Sequence, residues 1–120
     1  MVDAATVRRL AMAHPMAEDC STDVRLAFEV AGRGFAWSFM RRVHPKKPRI
    51  PDLEVLAVRC AFERKELLIE AAPDRFFDDD HYRGFPAVLV RLDAVEEAEL
   101  ADLLQGAAEI MASTKTKRRR

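Results

Sequence analysis

Between Phe76 and Asp93 the chain reads FFDDDHYRGFPAVLVRLD, a stretch dense in groups that do chemistry. Asp78, Asp79 and Asp80 followed by His81 could hold a hard cation, and His81 beside Tyr82 could exchange protons with a substrate. Neither chemistry finds the pattern it needs. Calcium takes about six to eight oxygens from a loop of defined spacing with a turn glycine, whereas consecutive acids point in different directions. A general base must lie within hydrogen-bond reach of its substrate and be tuned by a neighbour, and the spacing supplies neither. The stretch is therefore expected to close the fold, with no metal bound. The acids cap and orient the next strand, Tyr82 and Phe85 pack beneath the sheet, Gly84 takes a turn conformation, Pro86 starts a strand and His81 hydrogen-bonds backbone.

Nucleophilic catalysis has no footing elsewhere. Ser21, Ser38 and Ser113 lack a GxSxG elbow, and AGRG is too short for a phosphate loop. Cys20 and Cys60 are too few and too separated for a disulfide framework or a zinc site; Cys60 reads as a small buried hydrophobe. No catalytic residue, enzyme activity or cofactor is expected. The remaining chemistry lies in two sets. Arg33 at a hairpin tip and Arg41, Arg42, Lys46, Lys47 and Arg49 on the next connection are placed to contact phosphates of DNA. Phe28, Trp37, Phe76, His81 and Tyr82 form the alternative, an apolar groove for a small aromatic ligand, although at period two Trp37 and Phe39 read first as core.

Composition sets the frame for both. A chain of 120 residues with 49% hydrophobic and 33% charged residues makes one globular domain that needs no staples. No apolar run approaches the roughly 20 residues that span a bilayer, and MVDAATVRRL puts charges where a signal peptide needs its apolar core, so a cytoplasmic, non-membrane protein is expected. The formal net charge is zero, but five of the 20 basic residues lie between Lys115 and Arg120, leaving 15 against 20 acids in the body. Nucleic-acid binding must then rest on local patches.

The elements that would position these residues follow from periodicity. Ala4, Val7, Leu10 and Ala11 share a helical face from Asp3 to about Ala13, with Asp3 at the cap. Leu26, Phe28 and Val30 share one side of a strand, and Phe35, Trp37 and Phe39 one side of the next; the glycines of AGRG supply positive φ between them. Arg41 to Asp52, with three prolines, is read as an irregular basic connection. LEVLAVRCAF gives a third strand with Leu56, Val58 and Cys60 on one face, Glu63 to Ala72 a short helix, and Ala87 to Leu92 a fourth strand. From Asp93 to about Ser113, Leu100, Leu103, Leu104, Ala107, Ala108 and Met111 form one buried helical stripe. The order α-β-β-β-α-β-α predicts an α+β domain over residues 1–113, an antiparallel sheet of about four main strands covered by helices, with a flexible basic tail over 114–120.

Several of these segments resemble a known family. VRRLAMAHP, LAFEVAGRGFAW, VRCAFERKELLIEAAPDRFF, HYRGFPAVLVRLD and ELADLL are similar in order and spacing to the MmcQ/YjbR family over roughly residues 6 to 112. The resemblance implies a CyaY-like two-layer sandwich and DNA binding through a "double wing", with no established catalytic residues to carry over; some members sit beside drug-resistance functions. The chain departs from the family pattern at His14, Pro15 and Met16 and again from Asp23 to Leu26, so a groove built from that second loop differs here. A protein-interaction role, as monomer or homodimer, completes the expectations.

Overall fold

A computed structural model describes residues 2–41 and 45–118, with side-chain surroundings up to Ser113. Its elements run α1 (Ala4–Ala11), β1 (Ala17–Asp19), β2 (Ala27–Val30), β3 (Arg33–Arg41), β4 (Ile50–Arg59), α2 (Phe62–Ala71), β5 (Phe76–Phe77), β6 (Ala87–Arg91) and α3 (Glu97–Arg118). The strands form one six-stranded sheet in the order β1-β2-β3-β4-β6-β5, with every neighbouring pair antiparallel. This is the α+β sandwich that the sequence predicts, with β1 and β5 added at the two edges. Both are too short to show a period of two, and short edge strands offer little backbone for another chain to pair with.

The three helices fall in the segments that the sequence predicts, although α3 begins at Glu97, four residues after Asp93. The Asp3 carboxylate accepts from Thr6 N at 2.9 Å, satisfying one of the unpaired first-turn donors of α1. The α3 stripe Leu100, Leu103, Leu104, Ala107, Ala108 and Met111 is buried throughout against Phe28, Val30, Ala36, Leu56, Val58, Val88 and Val90. Those sheet residues alternate as period two requires, so the helix-facing side of β2, β4 and β6 was correctly assigned. α3 continues to Arg118, past the Ser113 at which the stripe ends. His14, buried between α1 and β1, ties this layer together: its Nδ1 accepts from Met16 N at 3.1 Å, which leaves Nε2 to donate to Glu109 of α3 at 3.0 Å.

Three local readings are corrected. Phe35 does not share a side with Trp37 and Phe39. The β2–β3 register shifts between Phe28 and Glu29, so Phe35 joins the helix-side core while Trp37 and Phe39 face outward. The turn before it takes positive φ at Ala31 (55°) and Gly32 (80°), the pair a primed two-residue hairpin requires, so an alanine does work that the motif had given to a second glycine. Finally, the proline-rich connection is shorter than expected, because Ile50, Pro51 and Asp52 already pair with Arg41, Met40 and Phe39. Pro51 is tolerated there because β6 pairs with β4 only from Val55 to Arg59, so the other edge of β4 at Pro51 needs no donor.

Candidate functional site

The outward face of the sheet is the chemically distinctive one. Trp37 and Phe39 of β3, Val55 and Ala57 of β4, Phe77 of β5 and Ala87 and Leu89 of β6 build a second apolar cluster there. No helix covers it. The loop from Asp78 to Pro86 lies over it instead, inserting Tyr82 and Phe85. Rings meet at steep angles: Tyr82 against Phe85 at 5.8 Å and 85°, Trp37 against Phe85 at 6.4 Å and 68°, Phe39 against Tyr82 at 5.8 Å and 55°. Such edge-to-face arrangements match the negative ring face to a positive ring edge.

One buried lysine holds this loop down. The Lys65 ammonium, on α2, donates to Tyr82 O at 2.8 Å and Phe85 O at 2.9 Å and pairs with Asp78 at 3.2 Å. Three donors meet three acceptors, so the buried charge is fully satisfied. Asp79 accepts from Tyr82 N at 2.8 Å and Asp80 pairs with Arg83 at 2.9 Å. The three acids thus serve three separate partners, as expected of a stretch that closes the fold, and Gly84 takes its turn at φ 79°. His81 differs from expectation: it is exposed and rests edge-on against Tyr82 at 5.2 Å.

The Tyr82 hydroxyl accepts from Trp37 Nε1 at 2.8 Å. Burial pushes the Tyr82 phenol up, outweighing the Trp37 hydrogen bond and the nearby Arg25 and Arg49 charges that favour its ionised form. A phenol held above its ordinary value stays protonated at neutral pH, so Tyr82 is a hydrogen-bonding wall and not a base. Trp37, Tyr82 and His81 do come together, with Arg25, Met40 and Phe85, around a cleft of about 440 Å³. Phe28 and Phe76 do not join them. Both are fully buried in the helix-side core, because alternation points Phe28 inward beside Val30 and pairs Phe76 with the inward Val90.

The basic residues are also rearranged. Arg33 opens β3 and Arg41 closes it, so the expected phosphate contacts lie at opposite ends of one strand, roughly 26 Å apart at about 3.3 Å per residue. Arg41 sits 4.0 Å from Asp52, Lys46 and Lys47 are exposed, Arg49 donates to Met40 O at 2.8 Å, and Arg42 lies outside the described residues. Between the two ends the sheet supplies cations that sequence reading missed. The Arg59 guanidinium lies 4.7 Å from the Phe85 ring and 5.9 Å from Trp37, and Arg91 lies 4.1 Å from Phe77. Burial, and to a lesser degree the Arg33 charge, lower the Arg59 pKa from its ordinary value.

Among the described residues, cations beside the helices are paired throughout, whereas those of the sheet and its loops are paired only in part, as at Arg41 and Arg83. Arg8, Arg9, Arg64, Lys65 and Arg75, on or beside the helices, each have a carboxylate partner. Among the described residues, Arg25, Arg33, Arg49, Arg59 and Arg91 have none within salt-bridge distance; a buried guanidinium nitrogen of Arg25, Arg33 and Arg59 lacks a hydrogen-bond partner, as does Arg75 Nε, which instead has an ion-pair partner in Glu99. The signal for Arg59 and Arg91 was present in the alternation, since each ends an apolar strand on the outward side. At the β1–β2 edge, Glu18, Cys20 and Glu29 bring ligand atoms within 4.8 Å of one another, an acidic boundary to the cationic face.

Comparison with known proteins gives these features a family context. A model of the YjbR family matches residues 12–107. The crystal structure of Deinococcus radiodurans protein DR2400, described by a DUF419 domain, superposes with a TM-score of 0.65 at 24% identity, covering 89% of this chain and 76% of that one. Comparison with curated proteins finds no match. At that identity the structural likeness speaks for the fold alone, whereas the family match spans most of the sequence. The chain belongs to the YjbR family.

Proposed function

We propose that this protein is a non-enzymatic nucleic-acid-binding module that lays DNA phosphates along the outward face of its sheet. The observation that carries the reading is the segregation of charge. Arginines of the helical layer are neutralised by carboxylates, while Arg25, Arg49, Arg59 and Arg91 have none; Arg33, in register with the inward Val30 at the hairpin end, has none either and lies near enough to Arg59 to act on its charge. An unpaired guanidinium keeps its planar fork for a phosphate, and one stacked on an aromatic ring, as Arg59 and Arg91 are, is held in place while its edge stays free. The roughly 26 Å between the ends of β3 corresponds to about seven or eight base pairs measured along a duplex axis at about 3.4 Å each. Contacts of this kind fix position and carry no sequence information.

Arg41 contributes less than its position suggests, because Asp52 already competes for it. The test is anisotropy of a labelled duplex with Arg33→Gln and Arg59→Gln. Loss of both charges is expected to weaken binding at least tenfold and to flatten its salt dependence, while Arg8→Gln and Arg64→Gln on the helical side leave it unchanged. Equal effects from the two faces would remove the assignment.

A further inference from the structure

The cleft at one end of the outward face has a composition that a phosphate track does not explain. Its six lining residues are Arg25, Trp37, Met40, His81, Tyr82 and Phe85, with four ring systems, one flexible thioether and one permanent cation. No acid lines it. A volume of about 440 Å³ falls within the range of small-molecule sites, roughly 300–1,000 Å³, and exceeds what a single phosphate would fill. We propose that this cleft binds a small planar aromatic anion, a one- or two-ring compound bearing a single carboxylate or phosphate.

Three observations define that occupant. Trp37 and Phe85, both half-buried, present apolar ring surface where a flat ring can stack, and Met40 adapts to its outline. Arg25 supplies the charge. It lines the cleft and has no carboxylate partner among the described residues, so its charge is available for a charge-assisted contact with a bound carboxylate or phosphate. Arg49 lies close enough to Tyr82 to act on its phenol together with Arg25, so two positive charges bear on this end of the face. Asp79, whose carboxylate accepts the Tyr82 backbone N–H, opposes them and bears on the phenol more than either arginine does alone. The polar wall is ordered as well. Because Tyr82 Oη accepts the Trp37 indole proton, its own proton remains free to donate.

This site does not depend on nucleic-acid binding. Arg25 lines the cleft from the loop before β2, outside the strands that would carry a phosphate track.

The test uses the full chain and three probes of one shape class: 2-naphthoate, 2-naphthyl phosphate and the neutral 2-naphthalenemethanol. Calorimetry measures affinity, and the indole N–H resonance of Trp37, the one tryptophan, reports occupancy of the cleft. Saturable binding of either anion, at least tenfold tighter than the neutral alcohol and accompanied by a shift of that resonance, supports the proposal. The tighter anion identifies the acidic group. Arg25→Gln is expected to bring anion and alcohol to equal affinity, with Arg25→Lys restoring part of the preference. Equal affinity of wild type for anion and alcohol, or anion binding that leaves the Trp37 resonance unmoved, would overturn it. The wild-type comparison decides the matter even if the Arg25 variants fail to fold.

Discussion

Replacing Lys65 by methionine removes one charge from the loop anchor and keeps the length of the side chain. In a fully buried ion pair the loss of one partner costs about 3–5 kcal/mol. Here the cost is smaller for reasons visible in the contacts. Tyr82 O keeps the Phe85 N–H at 2.9 Å and Phe85 O keeps the Ala87 N–H at 2.8 Å, so neither carbonyl is orphaned. The Asp78 side chain, 30% exposed against 5% for Lys65, can return to water. What is lost is two charge-assisted hydrogen bonds, each about 1.5–3 kcal/mol, less the desolvation no longer imposed on the ammonium. A net destabilisation of about 2 kcal/mol is expected, a large share of the 5–15 kcal/mol typical of a domain. Urea unfolding followed by Trp37 fluorescence measures it. Hydrogen exchange locates it, with faster exchange at Tyr82, Phe85 and Ala87 and little change in α3. Asp78→Asn, which leaves both carbonyl contacts in place, is expected to cost under about 1 kcal/mol. If Lys65→Met matched wild type within about 0.5 kcal/mol with the loop amides unchanged, the anchoring role would be refuted.

Two further perturbations test other parts of the account. Tyr82→Phe removes the acceptor of the Trp37 indole N–H and should cost about 1 kcal/mol with a shift in Trp37 emission. It also has a pH signature. Because the folded phenol is raised above its unfolded value near pH 10, the native state holds its proton longer, so stability falls as pH climbs above about 10. The difference between wild type and Tyr82→Phe across that window should shrink with rising pH; a constant difference would exclude the burial effect. Ala31→Gly relieves a left-handed alanine that costs about 1–2 kcal/mol, offset by about 0.5–1 kcal/mol of extra backbone entropy in the unfolded chain. A gain of about 0.5 kcal/mol in urea midpoint analysis is expected, and a loss would contradict the turn geometry.

Much of the fold was legible because single elements declare their buried face. The α3 stripe and the pairs Leu56 with Val58 and Val88 with Val90 needed only periodicity. Phe35 was not legible, since a bulge reverses the face of a strand and leaves no mark in the hydrophobic pattern. Pro51 misled for a related reason: its acceptability depends on which strand lies beside β4, a tertiary fact. Lys65 reads in sequence as one more charge on a short helix, and its burial follows from where the loop carbonyls fall. The candidate site was half readable. Trp37, His81 and Tyr82 were found from their types. Arg25, Arg59 and Arg91 were missed because what distinguishes them is the lack of a carboxylate partner, which depends on the whole surface.

That unpaired arginine face is the central claim, and salt dependence of duplex binding tests it most directly. Anisotropy of a labelled DNA duplex would be titrated with the full chain and with a chain ending at Ser113, from about 50 to about 200 mM salt. Five arginine–phosphate contacts at about 0.9 each predict that the logarithm of the affinity falls with the logarithm of salt with a slope of about −4.5 in both proteins, a loss of about 500-fold across that range. Binding that disappears with the removal of residues 114–120, or a slope near zero for the shortened chain, would contradict the claim that the folded face holds the phosphates.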